Sequence, residues 1–418
     1  MNTYSPTSFS LRKRITQPAS ATIAILPAQA SRFPAIDIIR GAIMLIMALD
    51  HVRHFLHISS LADEPTNLVT TTPVLFFTRW ITHFCAPAFI FLSGISAYIS
   101  GQKKTKRELS AFLIKRGLWM IVVELVFISF SWSFDVTYSG FFLQVIWAIG
   151  WSMMILGLMV RTSLTVIAVV GSIIFFGHNI LDYIHLPQQG ITSVLWKVFL
   201  TSKVDFFVLG NARSILLVYP ILPWAAIMML GYVTGQLYTK KFDDKQRKKL
   251  LLRTGIGLVA LFIVLRLINQ YGDPHQWSQQ KNLTFSLLSF LNVTKYPVSL
   301  QYSCMTLGTV LIMLSVLKNR SNKATKFLTV FGKVPFFYYV FHFYLIHIIT
   351  AFLFFANGHS WNEIKDAGSF ILFRPSWFGV NLTTVYIVWI SVILILYFPC
   401  RWFAGYKAEN KGWWLSYI

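Results

Sequence analysis

Phe84-Cys-Ala-Pro-Ala-Phe-Ile-Phe-Leu-Ser-Gly-Ile-Ser-Ala-Tyr-Ile-Ser-Gly101 runs for eighteen residues without a charged side chain, and Lys103, Lys104, Lys106 and Arg107 follow at once. A run of this kind suits a helix in a bilayer, because in hydrocarbon every backbone N–H and C=O must find its partner within its own segment. Ten such segments are expected to span: 36–57, 79–101, 115–134, 141–160, 163–183, 214–238, 250–270, 298–317, 328–355 and 380–400. The stretch 191–210 carries Lys197, Lys203 and Asp205 and reads as an outer loop or a re-entrant piece. The fold class is therefore all-α, a polytopic integral membrane protein with about ten transmembrane helices.

Composition agrees. The chain of 418 residues is 55% hydrophobic and only 12% charged, about half the charge of an ordinary soluble domain. Its net charge of +22 is not the footprint of a nucleic-acid binder, whose basic residues gather on one water-facing patch. Here they form short clusters between apolar runs. With the N-terminus cytoplasmic, Arg12-Lys13-Arg14, Arg32, the 103–107 cluster, Arg161, the 240–249 cluster, Lys318, Arg320, Lys323, Lys326 and Arg401 all fall on one side. The opposite loops hold Asp63, Glu64, Asp135, Asp182, His185, Asp273 and His275.

Residues 1–31 read as a flexible cytoplasmic tail, since Gln17, Pro18, Ser20 and Thr22 interrupt any signal-peptide core. Residues 32–405 read as one multi-span domain and 406–418 as a short cytoplasmic tail. Cys85, Cys304 and Cys400 lie in or beside apolar segments, and no disulfide is expected.

Ionisable residues inside spans are costly and mark function by default. The densest group is Met47-Ala-Leu-Asp50-His51-Val-Arg53-His54-Phe-Leu-His57, at the outer end of the first span. Helical spacing puts Asp50 on one face with Arg53 and His54, so that His51 needs a partner from another helix. Thr78-Arg79-Trp-Ile-Thr-His83 on the second span offers it, with Arg79 and His83 expected on one face. A neutral imidazole among such groups is a candidate general base. Glu124 lies deep in the third span and His342 deep in the ninth, and both are expected to bond between helices as buried polar support. His-x-x-x-His and Cys-x-x-Cys pairs do not occur, and no metal is expected.

Phe33-Pro-Ala-Ile-Asp37-Ile-Ile-Arg40-Gly41, running into Asp50-His51-Val-Arg53, resembles the opening span of the heparan-alpha-glucosaminide N-acetyltransferase-like family, in its bacterial branch. Arg79 through Gly94, Lys115-Arg116-Gly117 through Glu124, Lys295-Tyr296-Pro297 and Gly332-Lys333-Val-Pro335 through His342 extend the likeness over most of residues 32–400. The resemblance implies a membrane acyltransferase that takes an acetyl or short acyl group from cytosolic acyl-CoA to a hydroxyl or amine of a sugar or glycan across the membrane. It also implies a far-side catalytic histidine and a bacterial cytoplasmic (inner) membrane location. In the animal lysosomal enzyme of the family that histidine lies in the loop after the first span. Loop 58–78 here contains none, so His51 or His83 substitutes. Where the bacterial branch has a second proline after Pro297, this chain has Val298.

Arg40 and His51 are eleven residues apart, about 16 Å along a helix, the reach of a phosphopantetheine arm. Phosphates of acetyl-CoA, the expected co-substrate, would rest on Arg40, Lys115, Arg116 or Lys333. His51 would take the acceptor proton, Asp50, Arg53 and His54 would set the field, Arg79 or His83 would stabilise the oxyanion, and Lys295 and Tyr296 would be buried support. The rival reading is a transporter or flippase for a lipid-linked sugar or small solute. Expected partners are acyl-CoA, a glycan acceptor and membrane lipid, not nucleic acid; homo-oligomerisation is left open.

Overall fold

The computed structural model describes residue 1 and residues 33–417, except 185, 186, 188, 202, 211, 212, 318–321, 367 and 368. The expected tail with Arg12-Lys13-Arg14 and Arg32, together with His185, Lys318 and Arg320, lies outside the described residues. Pro34–Ile418 forms one compact unit.

In chain order the helices are α1 (Pro34–Leu56), α2 (Pro73–Trp80), α3 (Cys85–Gly101), α4 (Lys106–Val123), α5 (Ser129–Ser133), α6 (Val145–Met159), α7 (Leu164–Gly177), α8 (Gly190–Phe199), α9 (Ile221–Thr234), α10 (Asp244–Ile268), α11 (Leu283–Leu291), α12 (Leu300–Val316), α13 (Lys323–Lys333), α14 (Pro335–Ala356) and α15 (Leu382–Glu409). Side-chain caps mark several of their starts. Thr105 and Glu108 form a capping box on α4, Asp243 and Gln246 one on α10, and Asn381 caps α15 through the Thr384 amide.

Among the described residues six helical segments are long and apolar enough to cross a membrane: Pro73–Gly101, Leu164–Tyr183, Ile221–Tyr238, Asp244–Ile268, Pro335–Ala356 and Leu382–Glu409. Four expected spans, 36–57, 115–134, 141–160 and 298–317, are not among these six, and 115–134 is divided between α4, a π-helical turn over Glu124–Ile128 and α5. α1 has 23 residues but holds Asp37, Arg40, Asp50 and Arg53; α6 and α12 have 15 and 17. The expected single span 328–355 is two helices, since Pro335 drives Val334 out of helical geometry (φ −133°, ψ 49°) and α14 starts anew. α8 has ten residues, about 15 Å of helix, too little to cross.

The chain is not purely helical. β1 (Gly140–Leu143), β2 (Asp205–Leu209) and β3 (Arg213–Leu217) form a sheet in the order β1-β3-β2, with β1 parallel to β3 (Phe142 opposite Leu216) and β2 antiparallel to it (Phe207 opposite Ile215). The sequence reading placed 141–143 and 214–217 at the starts of spans, because a short apolar run does not distinguish strand from helix.

Close helix crossings hold the site-bearing helix. A Cβ on Gly41 of α1 would lie 1.9 Å from the Leu328 carbonyl oxygen, and one on Gly332 of α13 would lie 1.8 Å from that of Asp37. Only glycines let these backbones touch, as at other small-residue crossings in membranes.

Candidate active site

The last two turns of α1 carry the ionisable cluster. Asp50 Oδ1 accepts from Arg53 Nη2 at 3.1 Å, one helical turn on, and Oδ2 accepts from Arg79 Nη1 of α2 at 2.5 Å. Arg53 and Arg79 are 3% and 7% exposed, so one carboxylate holds two buried guanidiniums together.

His51 turns the other way, toward α14. Its Nδ1 lies 2.6 Å from His342 Nε2, while His342 Nδ1 lies 3.1 Å from the Tyr338 carbonyl oxygen. A carbonyl can only accept, so His342 Nδ1 carries its hydrogen, and Nε2 of the neutral ring must then accept. His51 Nδ1 is therefore the donor, and His51 Nε2 keeps its lone pair. Among the described residues no group hydrogen-bonds that nitrogen. The His51 ring stacks on Phe343 at 4.3 Å between centroids and meets Trp132 edge-on at 6.2 Å. His54 meets Trp132 edge-on at 5.1 Å, with its buried Nε2 unbonded among the described residues.

A cavity of about 290 Å³ opens beside this cluster. Asp50, His51, Arg53 and His54 line it from α1, Arg79 and Thr82 from the second segment, and Lys295 and Tyr296 from the loop before α12. Phe142 and Leu216 of the sheet, with Glu64 from the loop after α1, close other sides. A second cavity of about 80 Å³ lies toward the other end of α1, lined by Arg40, Ser93, Arg116 and Tyr339 among others. Phe89 and Val145 line both cavities.

The expected phosphate-binding residues separate into two groups. Arg40 and Arg116 line the smaller cavity. Arg40 Nη2 donates to Ser96 Oγ at 2.8 Å and Nη1 lies 3.2 Å from Asp37 Oδ1; Arg116 Nη1 donates to the Ser416 carbonyl at 2.7 Å. Lys115 and Lys333 are exposed and line neither cavity.

Arg79 and His83 do not share a face. Ile81–Phe84 is a 3₁₀ turn, whose three-residue repeat aligns Arg79 with Thr82 instead. Thr82 Oγ1 donates to the Arg79 carbonyl at 2.7 Å and lines the cavity, whereas His83 is 3% exposed, stacked edge-on to Tyr302 at 5.5 Å, and outside the cavity wall. Nor does the second span supply the partner of His51, which comes from α14.

Glu124 is fully buried in a π-helical turn, Glu124–Ile128, with Oε1 accepting from the Gln144 amide at 2.9 Å. It ties that turn to the start of α6 and does not line the cavity. His347 Nδ1 and Nε2 each lie 2.8 Å from a carbonyl oxygen, of Ser131 and Leu372 respectively, away from the cluster. Trp132, Thr82, Glu64 and Tyr219 line the site without having been singled out for it from sequence. An acidic residue in the loop after the charged span was a usable signal for Glu64; the sequence held none for the others.

Residues 32–266 match the family model for the heparan-alpha-glucosaminide N-acetyltransferase catalytic region. The match runs from α1 to Arg266 in the last turn of α10, so it contains Asp50, His51, Arg53, His54 and Arg79, while Lys295, Tyr296 and His342 lie beyond it. No curated protein matches the chain. Since the matched region is more than half of the sequence and carries the clustered residues of α1 and α2, the chain belongs to the heparan-alpha-glucosaminide N-acetyltransferase catalytic family.

Proposed function

We propose that the protein moves an acetyl or short acyl group from cytosolic acyl-CoA to a hydroxyl or amine of a glycan on the opposite side of a bacterial cytoplasmic membrane. Residues 32–405 act as one catalytic unit that crosses the bilayer about ten times, and the excess of basic loops puts the N-terminus in the cytoplasm. The observation that carries this reading is the pair of adjoining cavities, one with two arginines at one end of α1, the other with an accessible imidazole at the other end.

The CoA phosphates rest at Arg40 and Arg116, and the uncharged pantetheine arm passes Phe89 and Val145 to present the thioester to His51. The acceptor's hydroxyl or amine gives its proton to His51 Nε2 as it attacks the thioester carbonyl. Arg79, held by Asp50, faces the oxyanion that forms, and Arg53 shares the charge of Asp50. Collapse of the tetrahedral adduct breaks the C–S bond, and the thiolate takes the proton back from His51 and leaves as CoA. The acceptor is acylated directly, with no acyl-histidine.

Acetyl-CoA binding and turnover by purified protein in detergent, with wild type beside His51→Ala, tests the reading. Binding by both with turnover lost only in the variant is expected, at a cost of about 10²–10⁴ in rate. If monodisperse wild-type protein binds no acetyl-CoA, the donor is wrong and the transporter or flippase reading replaces this one.

A further inference from the structure

Among the described residues the His51 ring has four aromatic neighbours: Trp132, Tyr339, His342 and Phe343. Of these, Tyr339 alone lines the smaller cavity, the one that holds Arg40 and Arg116. Helical spacing sets it there, since Tyr339, His342 and Phe343 share one face of α14 at i, i+3 and i+4. The Tyr339 ring meets His51 edge-on at 6.3 Å, His342 at 5.5 Å and Phe343 at 5.3 Å.

Tyr339 is 3% exposed, yet its hydroxyl hydrogen-bonds to no protein atom among the described residues. Glu124 and Tyr296 act on it electrostatically without bonding to it. An O–H withdrawn from water with nothing to accept it is costly, and a ligand that brings an acceptor removes the cost. Tyr338, one residue earlier, also has an unbonded hydroxyl, but it lines neither cavity.

Placement identifies the acceptor atom. The acceptor substrate reaches His51 through the larger cavity, and the pantetheine arm comes along the smaller one. The thioester sulfur joins the acyl group to that arm, so it lies on the Tyr339 side of the reacting carbonyl. A neutral thioester sulfur accepts hydrogen bonds weakly, whereas a thiolate carries a full charge and accepts strongly.

We propose that Tyr339 is a catalytic residue of the transfer, its hydroxyl donating to the sulfur as the C–S bond breaks and holding the departing CoA thiolate. This rests on the transferase reading. The C–S electron pair goes to sulfur, and Tyr339 keeps its proton throughout. The proton that completes the CoA thiol is the one His51 took from the acceptor. Because the hydrogen bond strengthens only as charge gathers on sulfur, it favours the transition state over bound acetyl-CoA.

The test is binding of CoA, and of desulfo-CoA with hydrogen in place of the thiol, to the detergent-purified full chain. It runs from about pH 7 to about pH 9.5, across the range in which a thiol ionises, and needs no acceptor. In wild type the preference for CoA over desulfo-CoA is expected to grow about tenfold or more with pH, as a charged hydrogen bond allows. In Tyr339→Phe, which loses only the hydroxyl, that growth should disappear while desulfo-CoA binds as in wild type. Tyr339→Leu makes the same comparison if the phenylalanine variant does not fold. A wild-type preference independent of pH overturns the proposal, and so does growth that persists in a folded variant without the hydroxyl. Desulfo-CoA binding by wild type separates this failure from failure of the transferase reading, since binding of neither compound removes both.

Discussion

His51 Nδ1 and His342 Nε2 lie 2.6 Å apart although 291 residues separate them in the chain. Through His342 the Tyr338 carbonyl determines which nitrogen of His51 is free to take a proton. In the proposed mechanism His342 acts on the acceptor only through His51, as a positioning residue. His342→Leu should lower kcat about tenfold to a hundredfold with little change in the KM for acyl-CoA, as for other residues that orient a reacting imidazole. His342→Gln, whose amide oxygen can accept from His51, should recover part of the loss. Steady-state kinetics of both variants across pH checks this; equal kcat in wild type and His342→Leu removes the relay from the mechanism.

Asp50 bridges Arg53 and Arg79. Its replacement by asparagine leaves two buried guanidiniums facing each other. The expected loss of stability is about 3–5 kcal/mol, the usual result of removing one partner from a buried ion cluster. The thermal midpoint in detergent measures it, and Arg79→Met combined with Asp50→Asn should cost less than the two single changes added together.

Phe89 and Val145 line both cavities and stand on the proposed acyl path. Phe89→Ala should widen the passage and raise turnover of butyryl-CoA relative to acetyl-CoA, while Val145→Trp should block both donors. Competition between the two donors gives the ratio directly. An unchanged ratio in Phe89→Ala places the acyl path elsewhere.

Asp135, in the loop ahead of β1, accepts from the Thr137 amide at 2.9 Å, from Thr137 Oγ1 at 2.6 Å and from the Ser139 amide at 3.1 Å, with a further bond from Ser139 Oγ. Partial burial pushes its carboxyl up, but the bonds from Ser139 and Thr137 outweigh that and hold it well below the usual carboxylate range. A lowered pKa in the folded state means that the unfolded chain binds the proton more readily. Its contribution is therefore present above the unfolded value near 4 and is lost as pH falls toward the folded one. Asp135→Asn should lower the thermal midpoint at pH 7, and the gap to wild type should shrink at pH 3. A gap independent of pH would assign the effect to geometry alone.

Within single helices much of the site was legible. Asp50 and Arg53 pair one turn apart as helical spacing demands, and the whole charged end of α1 could be read as one cluster because a helix determines its own side-chain directions. The membrane character followed from composition and run length, since lipid allows few other solutions. The tertiary structure decided what depends on contacts between distant segments. It gave His51 a partner on α14, placed Thr82 rather than His83 beside Arg79 through one 3₁₀ turn, and made strands of two short apolar runs that read as helix. Periodicity describes one helix at a time, and which faces meet is determined by packing over hundreds of residues that no local pattern encodes.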